Sequence, residues 1–262
     1  MFTPFLLITI LIAGNAVEGK RVFSSHHRHI MGGIKAEQCE FPWIVSLLLI
    51  KGRGYFVCSG TLINDLQVLT AAHCAKDVDK IIVSAGSSNR RSMTTFTYVF
   101  KSGIHSHPDY VGPPSFENDI AIINLPSSIS DGHCIKPLGI PEKGENISNN
   151  CIIAGWGVSS KNSYGTNQLQ TAKVKAFSQS QCKQHFSRIT KQQLCAGSGV
   201  RNGAESCRGD SGGPLMCHRV SDNKLVVVGV TSYGNYKCNT GFTVYSNVSY
   251  FEDWIDNINY DK

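Results

Sequence analysis

The segment Gly209-Asp210-Ser211-Gly212-Gly213-Pro214 has the composition of a turn that exposes a serine hydroxyl. Glycine adopts tight and left-handed turns, and its missing side chain leaves room for a second molecule near the backbone. A serine hydroxyl is a weak nucleophile at neutral pH, so chemistry at Ser211 needs a nearby base and a third group that orients the base. Without those two partners, the same six residues describe a surface turn.

Two further segments supply the missing groups. His73 lies in the run Thr70–Cys74, and Asp119 lies in the apolar run Asn118–Ile122. Burying an unpaired acid is energetically costly, which predicts that Asp119 has a partner. Asp119 and His73 have the residue types that such chemistry needs: an acid that can hold a histidine in one tautomer, and a histidine that can take a serine proton and pass it to a leaving group.

Short segments along the chain carry a resemblance to a known family, and in chain order they are Ile30-Met31-Gly32-Gly33, Phe41-Pro42-Trp43, Cys58-Ser59-Gly60, Ala71-Ala72-His73-Cys74, Asp119-Ile120-Ala121, Gly155-Trp156-Gly157, the Gly209–Pro214 run and Ser232-Tyr233-Gly234. From about Ile30 to its end, the chain resembles the trypsin/chymotrypsin-like serine endopeptidases. The order in which His73, Asp119 and Ser211 follow one another along the chain is also the order found in this family. The resemblance implies hydrolysis of peptide bonds through an acyl-enzyme, with the N–H groups of Gly209 and Ser211 forming an oxyanion hole.

The order of local elements agrees with an all-β fold. Short β-branched segments separated by turn residues predict antiparallel sheets, and only the end of the chain has helical periodicity. The resemblance implies two packed antiparallel β-barrels with a C-terminal helix and the active site between the barrels. We place the N-terminal barrel at about 30–137, the C-terminal barrel at about 138–246 and the helix at about 247–258.

The first 29 residues have the features of a leader and a propeptide. The apolar block Phe5–Ala13 and the small residues Gly14 and Ala16 predict a signal peptide at 1–16, with an alternative end at 19, and a propeptide at 17–29. The expected protein is therefore secreted and extracellular. No other apolar run approaches 20 residues, so no membrane span is expected. The formal net charge is +6 for the whole chain and +4 for a chain beginning at Ile30, which is ordinary for a secreted protein, and no nucleic-acid partner or cofactor is indicated.

The resemblance also implies a zymogen, in which proteolysis frees the amino group of Ile30 to pair with Asp210. Most relatives carry Arg or Lys directly before that isoleucine, whereas this chain has Arg28-His29. An activating protease must therefore cut after His29, or His29 must be removed after a first cut at Arg28.

Ten cysteines in a secreted chain indicate disulfide bonds. The resemblance implies the pairs Cys58–Cys74, Cys151–Cys217, Cys182–Cys195 and Cys207–Cys238. We predict that the remaining Cys39 and Cys134 pair with each other and tie the N-terminal segment to the inter-barrel connection. Since there is no C-x-x-C pair and no acidic calcium loop, no metal site is expected. Glycosylation sequons begin at Asn146 and Asn247.

The resemblance places the substrate pocket among Glu205, Ser206, Arg208, Ser232, Tyr233, Gly234 and Thr243. Glu205 stands where trypsin-like members carry aspartate, which predicts cleavage after Arg or Lys, although its extra methylene would shorten the pocket or bend the carboxylate away. Thr243 replaces a wall glycine and would narrow the pocket, as in elastase-like members, so a preference for small or apolar residues is the alternative. Arg208 would pair with Glu205 or favour acidic residues beyond the cut. Ser232–Gly234 would bind substrate backbone as an added strand.

Two other classes of function compete with this interpretation. A non-catalytic protease homologue would act as a binding protein, but such homologues usually lose one of the three residues retained here, His73, Asp119 and Ser211. An esterase or lipase is disfavoured because its serine lies in G-x-S-x-G and its histidine comes last. The expected partners are polypeptide substrates, an activating protease and protein inhibitors, and the expected state is a monomer.

Overall fold

The computed structural model describes residue 30 and residues 33–158 and 165–258. Within these ranges the chain is mostly β-strand, and the strands form two seven-stranded antiparallel sheets. The all-β prediction with two barrel-like sheets is confirmed. In chain order the strands are β1 (Ile34–Lys35), β2 (Ile44–Lys51), β3 (Gly54–Asn64), β4 (Gln67–Thr70), β5 (Lys80–Ala85), β6 (Thr95–Phe100), β7 (Ile104–Ser106), β8 (Ala121–Asn124), β9 (Ile147–Gly155), β10 (Gln170–Phe177), β11 (Gln193–Gly197), β12 (Pro214–Arg219), β13 (Leu225–Gly234) and β14 (Thr243–Asn247).

The first sheet has the strand order β6-β5-β2-β3-β4-β8-β7. Strand β2 pairs with the central strand β3 from Ile44 opposite Thr61 to Lys51 opposite Gly54. Alternate residues such as Leu47 and Leu49 are fully buried, because successive side chains of a strand point to opposite faces of the sheet.

The second sheet has the order β1-β10-β11-β14-β13-β12-β9, and a further pairing of β10 with β9 closes the ring. Its interior is filled by buried apolar side chains, among them Ile153, Val174 and Leu215. Ile30 also belongs to this cluster and is 1% exposed. β1 pairs with β10, so Ile30 and β1 pack on the second barrel although they lie within the range predicted for the first.

Three short α-helices accompany the sheets: α1 (Ala72–Ala75), α2 (Gln179–Lys183) and α3 (Glu252–Asn257). The predicted C-terminal helix is present, although its first part is a 3₁₀ turn at Val248–Tyr250. Phe251 and Ile255 are each 3% exposed and fix the end of the chain against the core. None of the helices in the described ranges is long and apolar enough to cross a bilayer.

The ten cysteines form five disulfide bonds, and every pair is the expected one: Cys39–Cys134, Cys58–Cys74, Cys151–Cys217, Cys182–Cys195 and Cys207–Cys238. The bond between Cys39 and Cys134 joins residues 95 apart in sequence. It ties the segment before β2 to the connection between the two sheets.

Candidate active site

Asp119 and His73 make a close, buried pair. Asp119 is fully buried, and its Oδ2 lies 2.8 Å from Nδ1 of His73 while its Oδ1 accepts the His73 backbone N–H at 2.8 Å. The hydroxyls of Ser232 and Ser246 donate to Asp119 Oδ2 at 2.5 Å and to its carbonyl oxygen at 2.6 Å. With Nδ1 donating to the carboxylate, Nε2 of His73 carries the free lone pair that a general base needs.

The local sequence explains how the pair forms. His73 lies in α1, directly after the buried strand β4, and the Cys58–Cys74 bond fixes this helix to β3. Asp119 immediately precedes the buried residues Ile120 and Ala121 at the start of β8, which pairs with β4. The two neighbouring strands therefore deliver the base and the acid to the same end of the sheet.

The turn carrying Ser211 packs against the end of β4. Ser59 N–H donates to the Ser211 carbonyl at 2.8 Å, and Gly212 N–H donates to Thr231 O at 2.9 Å. Gly212 has φ of +76°, and a Cβ there would lie 2.2 Å from Thr70 Oγ1, so this position requires glycine. Ser211 also lines a cavity of about 220 Å³ that Ser232 shares. Ser211 therefore lies beside β4, which leads into His73. It also lines the same cavity as Ser232, whose hydroxyl bonds to Asp119.

The backbone around Ser211 presents two available donors. Across the described residues, the N–H groups of Gly209 and Ser211 donate to no protein acceptor. Gly209 has φ of +93° and lies against Gly157, where a Cβ would come within 3.0 Å of the Gly157 Cα. Two free N–H groups flanking a serine are the donors that a developing oxyanion requires.

Asp210 lies behind this turn and is 2% exposed. Its carboxylate accepts the N–H groups of Gly157 at 2.8 Å and of Cys207 at 2.9 Å. Burial raises the pKa of Asp210 to about 6, while these two hydrogen bonds and the charge of Arg90 act in the opposite direction. A Cβ on Gly157 would lie 2.5 Å from the Asp210 carboxylate carbon, so the Gly-Trp-Gly segment leaves room for this acid.

The cavity at Ser211 contains every predicted pocket residue except one. The residues that line it are Ser206, Cys207, Arg208, Ser211, Thr231, Ser232, Tyr233, Gly234, Asn235, Tyr236, Cys238 and Thr243. Glu205 does not line it. Sequence reasoning missed Asn235 and Tyr236, although they follow Gly234 directly and precede the Cys207–Cys238 bond that closes this wall.

Glu205 is turned into the protein and is 1% exposed. Its Oε1 accepts Gly241 N–H at 3.1 Å, and its Oε2 accepts the Thr240 hydroxyl at 3.2 Å. Burial raises the pKa of this carboxyl, and the hydrogen bonds from Gly241 and Thr240 oppose that rise. Thr243 stands opposite Gly234 in the β13–β14 ladder, and its hydroxyl donates to Ser206 O at 3.1 Å. Thr243 therefore lines the wall of the cavity, whereas the Glu205 carboxylate points towards the 240–241 turn.

The mouth of the cavity is formed by an exposed cation–π pair. The Arg208 guanidinium lies 5.0 Å from the Tyr236 ring centroid, and its Nη1 lies 3.4 Å from the Tyr236 hydroxyl. Among the described residues no ion pair joins Arg208 to Glu205. The expected pairing of Arg208 with Glu205 is therefore not formed in this arrangement.

Phe116 is a site residue that sequence reasoning missed. Its ring stacks on Tyr233 at 5.0 Å between centroids and stands edge-on to His73 at 6.1 Å. Burial, with a smaller contribution from the charge of Asp119, raises the pKa of nearby Tyr110 to about 12. Phe116 lies only three residues before Asp119 in the sequence, and this short separation could have indicated that its ring lies near the site.

Two barrel-like sheets with a paired His and Asp and a partly exposed serine in a glycine-rich turn define a two-barrel serine protease. The Trypsin family model matches residues 30–255. Rat (Rattus norvegicus) kallikrein-8 is 33% identical over 232 residues, covering 86% of this chain and 85% of its own. Mouse (Mus musculus) granzyme B(G,H) is 31% identical, covering 95% of both chains. The solved structure of mouse neuropsin, a serine protease expressed in the limbic system of the brain, has 33% identity and a TM-score of 0.72, covering 86% of this chain and 97% of its own.

This chain belongs to the trypsin family. It is a serine endopeptidase of the hydrolase class, and polypeptides are its substrates.

Proposed function

We propose that this protein is a secreted serine endopeptidase made as a zymogen, with Ser211 as nucleophile, His73 as general base and Asp119 as the group that orients the base. The observation that carries the assignment is the fully buried Asp119 carboxylate, 2.8 Å from His73 Nδ1 and bonded by Ser232. This geometry fixes the tautomer in which Nδ1–H donates to the carboxylate and Nε2 can accept the serine proton, and the carboxylate stabilises the imidazolium after transfer.

In the proposed mechanism, Ser211 Oγ attacks the scissile carbonyl carbon while its proton passes to His73 Nε2. The carbonyl oxygen becomes an oxyanion that the N–H groups of Gly209 and Ser211 stabilise. The imidazolium then protonates the leaving amine as the C–N bond breaks, which leaves an acyl-enzyme. A water molecule, deprotonated by His73, hydrolyses the ester and restores the serine.

We propose that activation acts through Asp210. In the precursor this buried carboxylate has only neutral donors in direct contact within the described chain, while Ile30 is already buried in the same barrel. A cut before Ile30 would create an ammonium that could compensate the charge of Asp210 and order the Gly209–Ser211 turn beside it. Burying a carboxylate without a cation is unfavourable, which provides the driving force.

For specificity we propose that the enzyme cleaves after small uncharged residues, the alternative raised by Thr243. The Arg/Lys prediction requires the Glu205 carboxylate to face the pocket, but both of its oxygens accept hydrogen bonds from the 240–241 turn. The threonine side chain fills space that a long basic side chain would need. The exposed Arg208 at the mouth favours acidic residues on the other side of the cut.

A cleavage profile on a mixture of peptides tests these assignments, using protein whose chain begins at Ile30. We expect cleavage after Ala, Ser, Thr or Val in the wild type. Thr243→Gly should increase cleavage after residues with larger side chains at least about tenfold, because removing a wall side chain relieves a steric exclusion. Thr240→Val, which removes one bond to Glu205 without opening the wall, is the matched control. Strong cleavage after Arg or Lys by the wild type would overturn the specificity proposal, and no cleavage at all would favour a non-catalytic homologue.

The remaining expectations concern the secreted protein. Of the two sequons, Asn146 is exposed, whereas the Asn247 side chain is partly buried and its Nδ2 donates to Lys191 O at 3.3 Å. We propose that Asn146 carries the glycan, and that the protein circulates as a monomer recognised by an activating protease and by protein inhibitors. Enzymatic removal of N-glycans should shift the mass of the wild type but not of Asn146→Gln.

A further inference from the structure

Gln193, the first residue of β11, uses the NH₂ group of its side-chain amide to hold a loop of the other barrel. It is 1% exposed. Its Nε2 donates to Ser115 O at 2.9 Å and to Phe116 O at 3.0 Å, while its Oε1 accepts Thr190 N–H at 3.3 Å. Because an N–H can only donate and a carbonyl can only accept, these three partners fix the orientation of the amide.

The loop that Gln193 holds, residues 109–118, has a strained backbone. Phe116 has φ of +49° and Asn118 has φ of +53°. A bulky side chain such as Phe rarely adopts this left-handed region, and such a conformation persists only where surrounding contacts enforce it. Residues at the start of β11 supply part of these contacts, because Asn118 N–H also donates to Gln192 Oε1 at 3.3 Å. Hydrogen bonds within the loop, such as Val111 N–H to Glu117 O at 3.0 Å, supply the rest.

The strained residue is the one that faces the site. The Phe116 ring stacks on Tyr233 with an interplanar angle of 20° and meets the His73 ring edge-on at 84°. Tyr233 lines the cavity that contains Ser211. The conformation of the loop therefore decides whether an aromatic wall stands between the base and the approach to the cavity.

Asp119 itself is held by other groups. Its carbonyl oxygen and carboxylate accept from Ser246, Ser232 and His73, and none of these bonds involves Gln193. Loss of the Gln193 amide would release residues 115–116 from β11 and leave the Asp119–His73 pair in place.

We infer that Gln193 is a positioning residue that clamps residues 115–116, so that the Phe116–Tyr233 pair forms a fixed wall for extended polypeptide substrates. This inference rests on the proposed peptidase function. Two kinds of substrate should respond differently to loss of this wall. A long peptide contacts the aromatic wall, whereas a single-residue ester contacts only the pocket and the catalytic groups.

The test compares Gln193→Met, which keeps the length of the side chain and removes both donors, with Gln67→Met as the matched control. Gln67 is also buried, and its Nε2 donates to Asn124 Oδ1 and Ile258 O at 3.1 Å, at the opposite end of β4 from His73. For Gln193→Met we expect KM for a tetrapeptide amide to rise about fivefold or more, while kcat for the ester of the same residue stays within about twofold. Gln67→Met should lower Tm without separating the two substrates.

A second measurement does not depend on activity. Backbone amides in residues 109–118 should exchange hydrogen faster in Gln193→Met than in the wild type, and Gln67→Met should leave them unchanged. Gln193→Glu adds a pH signature, because a carboxylate cannot donate to the two carbonyl oxygens whereas the protonated acid can donate to one. For the Gln193→Glu protein, KM for the tetrapeptide should therefore decrease as pH falls, when it is compared with KM for Gln193→Met at the same pH.

The outcomes separate the two claims. A wild type that hydrolyses neither substrate contradicts the proposed function, and the exchange measurement still decides whether the clamp exists. If the wild type is active and Gln193→Met matches it in both substrates and in exchange, the inference is overturned. Should Gln193→Met fail to fold, Gln193→Asn removes the reach of the amide and gives the same comparison.

Discussion

The buried carboxylate of Asp210 should make the stability of the precursor fall as pH rises. Burial raises its pKa from 3.8 to about 6, so between these values the unfolded chain has lost a proton that the folded chain retains. The free energy of unfolding then decreases with pH. A rise of about two pKa units corresponds to about 3 kcal/mol, complete by about pH 7.

The assay is urea unfolding at pH 4 to 7.5 with disulfides intact, on a precursor of residues 17–262. Ser211→Ala is present in every sample to prevent autolysis, and Asp210→Asn is the comparison. The stability of the Asp210 protein relative to the Asn variant should fall by about 2.5 kcal/mol across this range, because part of the full change lies below pH 4. In protein beginning at Ile30, the new ammonium should lower the pKa of Asp210 and remove or reverse this trend. If the free energy of unfolding depends on pH in the same way in the precursor with Asp210 and in the Asp210→Asn precursor, the reasoning is refuted.

Three substitutions test other parts of the site and fold. Ser232→Ala removes a 2.5 Å hydrogen bond to the Asp119 carboxylate. We expect kcat/KM to fall about ten- to a hundredfold, because hydrogen bonds to charged groups are worth about 1.5–3 kcal/mol. An unchanged rate and an unchanged pH–rate profile would contradict this expectation. Gly157→Ala places a Cβ 2.5 Å from a buried carboxylate carbon and should destabilise the protein by about 1–3 kcal/mol in urea unfolding, whereas wild-type stability would show that the segment tolerates a side chain. Replacing Cys39 and Cys134 together by serine removes a disulfide bond between residues 95 apart in sequence. The free energy of unfolding should fall by about 2–4 kcal/mol, while kcat/KM is retained. Loss of activity without loss of stability would argue against a purely structural role for this bond.

Much of the site could be predicted because it is local in sequence. The glycines around Ser211 and the apolar residues after Asp119 each encode a tight turn or a buried strand, and the resemblance supplied the relation between them. The disulfide pairs followed in the same way, including Cys39 with Cys134 as the remaining pair.

Other features depend on contacts between distant segments, which periodicity does not reveal. The direction of the Glu205 side chain follows from the position of the 240–241 turn, which offers it an N–H and a hydroxyl. The pairing of β1 with β10 requires residues 34 and 171 to meet. Gln193 and Phe116 lie 77 residues apart, and only the packing of the two barrels brings them together.

The most direct test of the account is covalent labelling of Ser211 by a fluorophosphonate, which reacts with serines activated by a neighbouring base. Protein beginning at Ile30 should be labelled stoichiometrically at Ser211, while the precursor reacts far more slowly and both His73→Ala and Ser211→Ala remain unlabelled. Absence of labelling in correctly folded protein beginning at Ile30, or equal labelling after His73→Ala, would contradict the claim that Asp119, His73 and Ser211 act together.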